Sequence, residues 1–143
     1  MGVKRSIQVD GAGAPLGVAI AGANRHDMKL VEETLNSMPT GRPNPKRVKQ
    51  HLCLDKGYDY PEVEELVKEW GYLPHIPKRG QPMESAGKVL GSRARRWVSE
   101  RTHSWMNRFR RLLIRWEKKP DNYLALVHLS CAYITACVAG ILG

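Results

Sequence analysis

The chain of 143 residues is 42% hydrophobic and 26% charged, which argues against disorder and is typical of one globular domain, residues 1–143. Its 23 Lys and Arg against 14 Asp and Glu give a formal net charge of +9, which predicts a polyanionic partner such as nucleic acid, or an acidic membrane surface. The three cysteines form no Cys-x-x-Cys pair, so neither a zinc site nor a disulfide framework is indicated, and a reducing cytoplasm is expected.

The first elements predicted are a β-hairpin and a helix. Apolar and polar residues alternate along residues 3–9, and a Gly-rich turn, residues 11–15, leads into a second apolar run, residues 16–21. Asp27 is then placed to cap a helix that extends to about Ser37.

A strand, a loop, a helix and a second strand are predicted next. The apolar run at residues 51–54 ends at Asp55, and Pro61 opens a helix that extends to Trp70. Residues 72–76 form a short strand, which Pro74 places at a sheet edge because proline cannot donate to a ladder. This alternation predicts an α/β fold.

Two basic loops, residues 39–50 and 77–92, connect these elements and are rich in Pro and Gly. The first is predicted to be a mobile segment that either contacts phosphates or only keeps the chain in solution. Its cations are Arg42, Lys46, Arg47 and Lys49.

The longest patterned segment, residues 93–116, contains no Gly or Pro. Its apolar residues recur at helical spacing and predict one continuous amphipathic helix with a buried stripe: Val98, Trp105, Phe109, Leu112 and Trp116. The opposite side is basic and carries Glu100, one turn after Arg96. Glu100 is therefore either half of an exposed ion pair with Arg96 or a metal ligand on a surface that binds a polyanion.

The C-terminal segment, residues 124–142, has no formally charged side chain, and Lys118 and Lys119 precede it. That is the outline of a membrane span with a basic flank. Several polar and small residues interrupt it, and polar groups are costly in a membrane, so we predict a buried core helix with Asp121 as its N-cap instead.

Asp55 is a candidate ligand-binding residue because it directly follows an apolar strand, where open α/β sheets place their sites. A carboxylate there, with another on a nearby helix, is suited to hard divalent cations, which take oxygen ligands and share them with phosphates. The alternative is a turn residue that bonds its own backbone before Gly57. Asp59 is predicted to be structural, as the cap ahead of Pro61.

Three motifs, taken together, are more specific than any of these patterns alone. They are Asn24-Arg25-His26-Asp27, Leu54-Asp55-Lys56-Gly57-Tyr58-Asp59, and Glu100-Arg101-Thr102-His103-Ser104-Trp105 followed by Asn107-Arg108-Phe109-Arg110-Arg111-Leu112. In this order they resemble the bacterial insertion-sequence transposases of the DDE class, most closely the insertion sequence five group. The likeness spans nearly the whole chain.

This resemblance implies a ribonuclease-H-like fold, in which a mixed sheet is flanked by helices. It also implies three acidic residues that bind two Mg²⁺ (or Mn²⁺) ions, and cleavage and strand transfer at transposon ends in double-stranded DNA. A homodimer is possible, and no membrane association is expected.

Asp55 matches the second acid of the family and Glu100 the third, so the resemblance makes both catalytic and metal-binding. Arg96 matches the basic residue four positions before the third acid, whereas Asn107 stands where many relatives have Lys. Trp105 and Trp116 are predicted to pack in the core. The predicted DNA contacts are Arg93, Arg95, Arg96, Arg101, Asn107, Arg108, Arg110 and Arg111.

The first acid of the family lies on a strand that precedes the opening hairpin, so the resemblance implies a C-terminal part of the catalytic domain that lacks its first strand. Asp10 ends the strand at residues 3–9 and is the other candidate, but the motif and the Gly-rich sequence after it indicate a turn residue. With one acid missing, we predict weak or no transposase activity.

Three functions therefore remain open. The chain is a DDE transposase, intact or truncated, or a non-catalytic DNA-binding remnant of one. The third possibility, which we rank last, is a small membrane-associated protein anchored by residues 124–142.

Overall fold

Residues 2–80 and 96–142 are the part of the chain that the computed structural model describes. The elements in this part are β1 (Val3–Val9), β2 (Pro15–Gly22), α1 (Asp27–Asn36), β3 (Gln50–Cys53), a 3-10 turn (Lys56–Tyr58), α2 (Pro61–Glu69), β4 (Tyr72–His75), α3 (Arg96–Asn107), α4 (Arg110–Leu113) and α5 (Pro120–Val138). The predicted mixture of helices and strands is confirmed.

The strands form two separate pairs. β1 and β2 are antiparallel, with Ile7 opposite Val18, and the pairing becomes irregular between Gln8 and Val9. β3 and β4 are parallel, with His51 opposite Leu73. The predicted hairpin is confirmed, and β3 and β4 are parallel because a helical crossover joins them.

Each strand pair contributes to its own hydrophobic cluster. The first cluster joins one face of the hairpin to α3, α4 and α5, and its buried members are Val18, Met106, Leu112, Tyr123, Val127 and Ile134. The second joins α1, α2 and β4, and its buried members are Val31, Leu35, Val63, Val67 and Tyr72. Successive side chains of the hairpin point to opposite faces, so one face joins the first cluster and the other is left to pack elsewhere.

The hairpin face opposite the first cluster packs against α1. The Thr34 hydroxyl donates to Ser6 Oγ at 2.8 Å. At Gly17 the approach is so close that an added Cβ would lie 2.5 Å from the Thr34 carbonyl oxygen. Gln8, on the same face, donates to the Tyr72 hydroxyl at 2.9 Å and so links the hairpin to β4.

The predicted continuous helix over residues 93–116 is wrong. Its first part lies outside the described residues, α3 ends at Asn107, and Phe109 has the extended conformation (ψ 102°) that starts α4. The break turns α4 toward α5, where Phe109 makes an edge-on ring contact with Tyr133. Packing against α5 therefore overrides the periodic pattern, and Trp116 leaves the apolar stripe and is 75% exposed.

The helix caps differ from the predicted ones. Asp27 lies in the first turn of α1 and His26 is its N-cap; likewise Lys119, and not Asp121, is the N-cap of α5. Tyr60 takes the N-cap position of α2. Asp59 is structural as predicted but binds elsewhere, because its carboxylate accepts hydrogen bonds from the Arg79 backbone N–H and from Lys78.

The C-terminal helix is buried along one face only. Tyr123, Val127 and Ile134 belong to the first cluster, so the predicted core helix is confirmed along this face, whereas Leu129 on another face is 68% exposed. No helix within residues 2–80 and 96–142 combines the length and apolar character needed to cross a membrane.

Part of the first basic loop is held in place. The Arg42 guanidinium donates to the Trp70 carbonyl at 2.6 Å and to Gln50 Oε1 at 3.1 Å, and it lies 3.7 Å from the centre of the Tyr72 ring. Arg42 is thus a structural residue, contrary to the predicted mobile role. Lys46, Arg47 and Lys49 remain exposed.

Thr102→Val tests the docking of α3 on the hairpin. Thr102 is 1% exposed and its hydroxyl donates to the Gly13 carbonyl at 2.8 Å. Valine keeps the shape but leaves that carbonyl without this donor, so we expect the free energy of unfolding in urea to fall by about 1–3 kcal/mol. Ser104→Val removes an exposed hydroxyl from the same helix and should cost less than about 0.5 kcal/mol. Equal losses in the two variants would contradict this docking.

Candidate functional site

Asp55 lies at the carboxyl end of β3. The Leu54 N–H donates to the His75 carbonyl at 3.0 Å, so pairing with β4 continues up to the residue before Asp55. Asp55 itself is exposed, has an extended backbone and precedes the 3-10 turn, which its side chain does not cap. The carboxylate is therefore presented where parallel strands end, as expected of a ligand-binding position.

Tyr58 connects Asp55 to a second acid, Asp27. The pKa of the Tyr58 phenol is raised, first by burial and then by the negative charges of Asp27 and Asp55. Asp27 is fixed by an ion pair of 2.9 Å with Lys4, whose ammonium also donates to the Arg25 carbonyl. We call Lys4, Asp27, Asp55 and Tyr58 the acidic cluster.

The acidic cluster was not predicted from the sequence, in which Asp27 was interpreted as a helix cap and Lys4 and Tyr58 were given no role. The available signal was that Asp27 and Tyr58 both lie inside motifs that resemble those of the DDE transposases. The proximity of the four cluster residues could not be read from the sequence, because they come from β1, α1 and the segment around the 3-10 turn.

Glu100 lies on α3 beside the turn of the hairpin. The residues that follow it bind that turn: Arg101 donates to the Ala12 carbonyl at 2.6 Å, and Thr102 donates to Gly13. Seven residues after Glu100, Asn107 accepts a hydrogen bond of 2.7 Å from Arg5. α3 therefore runs antiparallel to β1, with Glu100 at the turn and Asn107 nearer the open end.

His103 lies on the same helix. Its pKa is lowered by burial and, to a smaller extent, by the positive charge of Arg5, the β1 residue that binds Asn107.

The described contacts relate Asp55 and Glu100 to different ends of β1. Asp55 acts on the same Tyr58 phenol as Asp27, which binds Lys4 near the start of β1, whereas Arg101, the residue after Glu100, binds the turn that follows Val9. These two ends of β1 are about 17 Å apart, since five residues of strand rise about 3.4 Å each. In residues 2–80 and 96–142, no three His, Cys, Asp or Glu side chains are grouped to hold a metal ion. The described residues alone therefore do not fit a two-metal centre.

Asp10, the other candidate for a first acid, is a turn residue as predicted. Its Oδ1 accepts hydrogen bonds of 2.9 Å from the backbone N–H groups of Ala12 and Ala14. These bonds close the hairpin turn, so the carboxylate is directed into the turn and away from the acidic cluster.

The predicted DNA contacts fall into three groups. Arg93 and Arg95, and the side chain of Arg96, lie outside the described part of the chain. Arg101 lies between the rings of Trp97 and Trp105, 4.8 Å from each centre, and Asn107 is bound to Arg5, so these two residues hold α3 in place. The remaining three are exposed at the corner between α3 and α4: Arg108, Arg110 and Arg111.

Titration of Tyr58 measures which acid lies beside Asp55. A negative charge favours the neutral phenol, so Asp27→Asn and Asp55→Asn should each lower the Tyr58 pKa toward its ordinary value. Glu100→Gln, the matched control, should leave it unchanged. The measurement is an NMR titration of ¹³C-tyrosine-labelled protein in metal-free buffer. A decrease in Glu100→Gln as large as that in Asp55→Asn would place Glu100 in the acidic cluster and contradict the structure.

The sequence matches known proteins along most of its length. Residues 1–135 match the family model for the transposase DDE domain. The chain is 34% identical over 136 residues to the putative transposase for insertion sequence element IS402 of Burkholderia cepacia, covering 93% of this chain and 62% of that relative. The chain thus spans less than two thirds of the relative, and no solved structure matches it. By these matches, the chain belongs to the DDE transposases of bacterial insertion sequences.

Proposed function

We propose that this chain is a part of a transposase catalytic domain and acts in DNA transposition, with Asp55 and Glu100 as two of its three catalytic and metal-binding acids. The observation that carries the proposal is the match of residues 1–135 to the DDE domain. The position of Asp55 at the end of β3 supports it. Mg²⁺ or Mn²⁺ held by such acids would supply charge stabilisation for cleavage of a phosphodiester bond and for strand transfer.

The proposal sets two conditions. Glu100 and Asp55 have to lie within a few ångströms of one another, because carboxylates that share metal ions do so. A third carboxylate is also needed, and Asp10 does not supply it because it is engaged in its turn, while Asp27 is paired with Lys4.

The two strand pairs support a ribonuclease-H-like sheet that lacks one strand. Within the described ranges β1 pairs only with β2, and β3 only with β4, so β1 and β3 each have an open edge. β1 runs from the acidic cluster toward Gln8 and Tyr72, which is opposite to the direction of β3 and β4. A strand antiparallel to β1 and parallel to β3 would join the pairs into one mixed sheet and would end near Asp55. We place the missing acid on such a strand.

A non-catalytic DNA-binding remnant is the second candidate. The net positive charge favours it, since distributed charge binds DNA without any exact ligand geometry. Arg108, Arg110 and Arg111 already form an exposed basic corner. Double-stranded transposon ends or target DNA would be the partner in either case. We expect action in the cytoplasm, with a homodimer as a possible state.

Magnesium-dependent nicking of DNA that contains the transposon ends separates the two candidates. We expect the chain alone to show weak or no nicking, because the resemblance leaves the first of the three acids unmatched. Joining an upstream segment that provides a strand ending in Asp should restore it, and Asp55→Asn should abolish the restored activity. Asp121→Asn, which removes an exposed acid in the first turn of α5, is the control and should have no effect. Clear nicking by the unmodified chain that Asp55→Asn abolishes would show that the site is complete without the segment.

The salt dependence of duplex binding tests the basic corner. Replacing Arg108, Arg110 and Arg111 together by alanine should weaken binding and reduce the slope of log K against log salt by about 1 per lost phosphate contact. The matched control replaces Lys46, Arg47 and Lys49, three exposed cations of the first basic loop, and removes the same charge. A slope that is flat in the unmodified chain, or that changes equally in both variants, would contradict the assignment.

A further inference from the structure

The loop between α4 and α5 exposes a tryptophan on a braced backbone. Trp116 is 75% exposed, which is unusual for the side chain with the largest apolar surface. The loop around it is nevertheless fixed, because Arg115 donates to the carbonyls of Glu117 (2.9 Å) and Lys118 (3.2 Å). The Tyr123 hydroxyl donates to the Leu112 carbonyl at 3.2 Å and ties the start of α5 to α4. The indole is therefore presented outward by a loop whose shape is set.

A groove adjoins this loop, between α4 and α5. It has a volume of about 350 Å³, and Ala125, Leu126 and Leu129 of α5 form its apolar part. Polar groups stand at its edges, contributed by Arg111, Glu117 and Asn122. Among residues 2–80 and 96–142, no donor binds the buried Glu117 Oε2 atom. Apolar side chains with polar groups at the edge can contact the face of an aromatic base and hydrogen-bond its rim.

The charge around the loop selects the class of ligand. Arg110, Arg111, Lys118 and Lys119 are all exposed within ten residues of one another, and this corner belongs to a chain with a formal net charge of +9. An exposed aromatic ring with cations on both sides is the combination that binds single-stranded nucleic acid, in which bases stack on the ring and phosphates contact the cations. Duplex DNA cannot use the ring in this way, because its bases are already stacked.

We propose that the corner formed by α4, Trp116 and α5 binds an unpaired strand of DNA. One base stacks on the Trp116 indole, a neighbouring base enters the groove and donates an N–H to Glu117, and the backbone phosphates contact Arg111, Lys118 and Lys119. The inference rests on the proposed function, because cleavage of DNA ends exposes unpaired nucleotides. The inferred binding differs from the proposed catalysis in its ligand, because it concerns a single strand bound away from the acidic cluster.

The test is fluorescence anisotropy of the full chain with a single-stranded oligodeoxynucleotide and, separately, a duplex of the same sequence. Trp116→Ala should weaken single-strand binding roughly five- to hundredfold, the range for loss of one base–aromatic stack, and should change duplex binding less than about twofold. Trp116→Phe should recover most of the affinity. Trp97→Ala is the matched control, since Trp97 is also exposed but lies beside Arg101 on α3. Circular dichroism of each variant confirms that it folds.

Unchanged single-strand affinity in Trp116→Ala would overturn the inference, as would equal losses in Trp116→Ala and Trp97→Ala. Loss of self-association in Trp116→Ala, measured by light scattering, without a change in oligonucleotide binding would overturn it as well. Binding to vesicles containing phosphatidylserine that depends on Trp116, without binding to the oligonucleotide, would also overturn it and would assign the corner to a membrane surface. A chain that binds the oligonucleotide through Trp116 but never nicks DNA, even with the upstream segment, would leave this inference standing and reject the proposed catalysis.

Discussion

The contact between α3 and the hairpin turn fixes where every side chain of that helix lies. Arg101 and Thr102 both donate to backbone carbonyls of the turn, and Gly13 accommodates them with a φ of 89°. A Cβ at Gly13 would lie 2.9 Å from the Arg101 guanidinium, so both the conformation and the space require glycine. Because this docking is buried, the exposed side of α3, including Glu100, faces away from the sheet near the turn.

At the end of the hairpin away from its turn, the main interactions are between charged side chains. Lys4 binds the Asp27 carboxylate directly, and Asp55 is close enough for its charge to act on the same phenol, that of Tyr58. A protein with an excess of cations thus concentrates two acids at the carboxyl end of β3 and compensates one of them with a lysine. Removing that lysine would increase the repulsion between the acids, whereas a bound cation would relieve it. Charge therefore makes this end the more favourable place for a cation, even though the described residues do not complete a site.

Local patterns in the sequence were sufficient for the strands and most helices. The Gly-rich turn, the apolar run before Asp55 and Pro61 each act within a few residues, so the hairpin, β3 and α2 could be predicted. The break after Asn107 could not be, because it depends on the contact of Phe109 with Tyr133, a residue more than twenty positions away in sequence. The acidic cluster could not be predicted for the same reason. Its three segments meet only when α1 packs on the hairpin and also contacts the 3-10 turn.

The proposed catalytic site and the proposed DNA-binding surface differ in how much rearrangement of the fold they require. The hydrogen bonds of Arg101 and Thr102 to the turn, and the fully buried Met106, hold α3 on the hairpin. Each hydrogen bond contributes about 1 kcal/mol and the methionine about 1.5–3 kcal/mol, so any displacement of α3 that breaks these contacts is unfavourable by a few kcal/mol. A strand added at the open edges of β1 and β3 would form new backbone hydrogen bonds that offset such a cost. The proposed DNA binding needs no such compensation, since Arg108, Arg110, Arg111 and Trp116 are already exposed. On these proposals, binding persists in the chain alone, whereas assembly of the acids depends on a larger sheet.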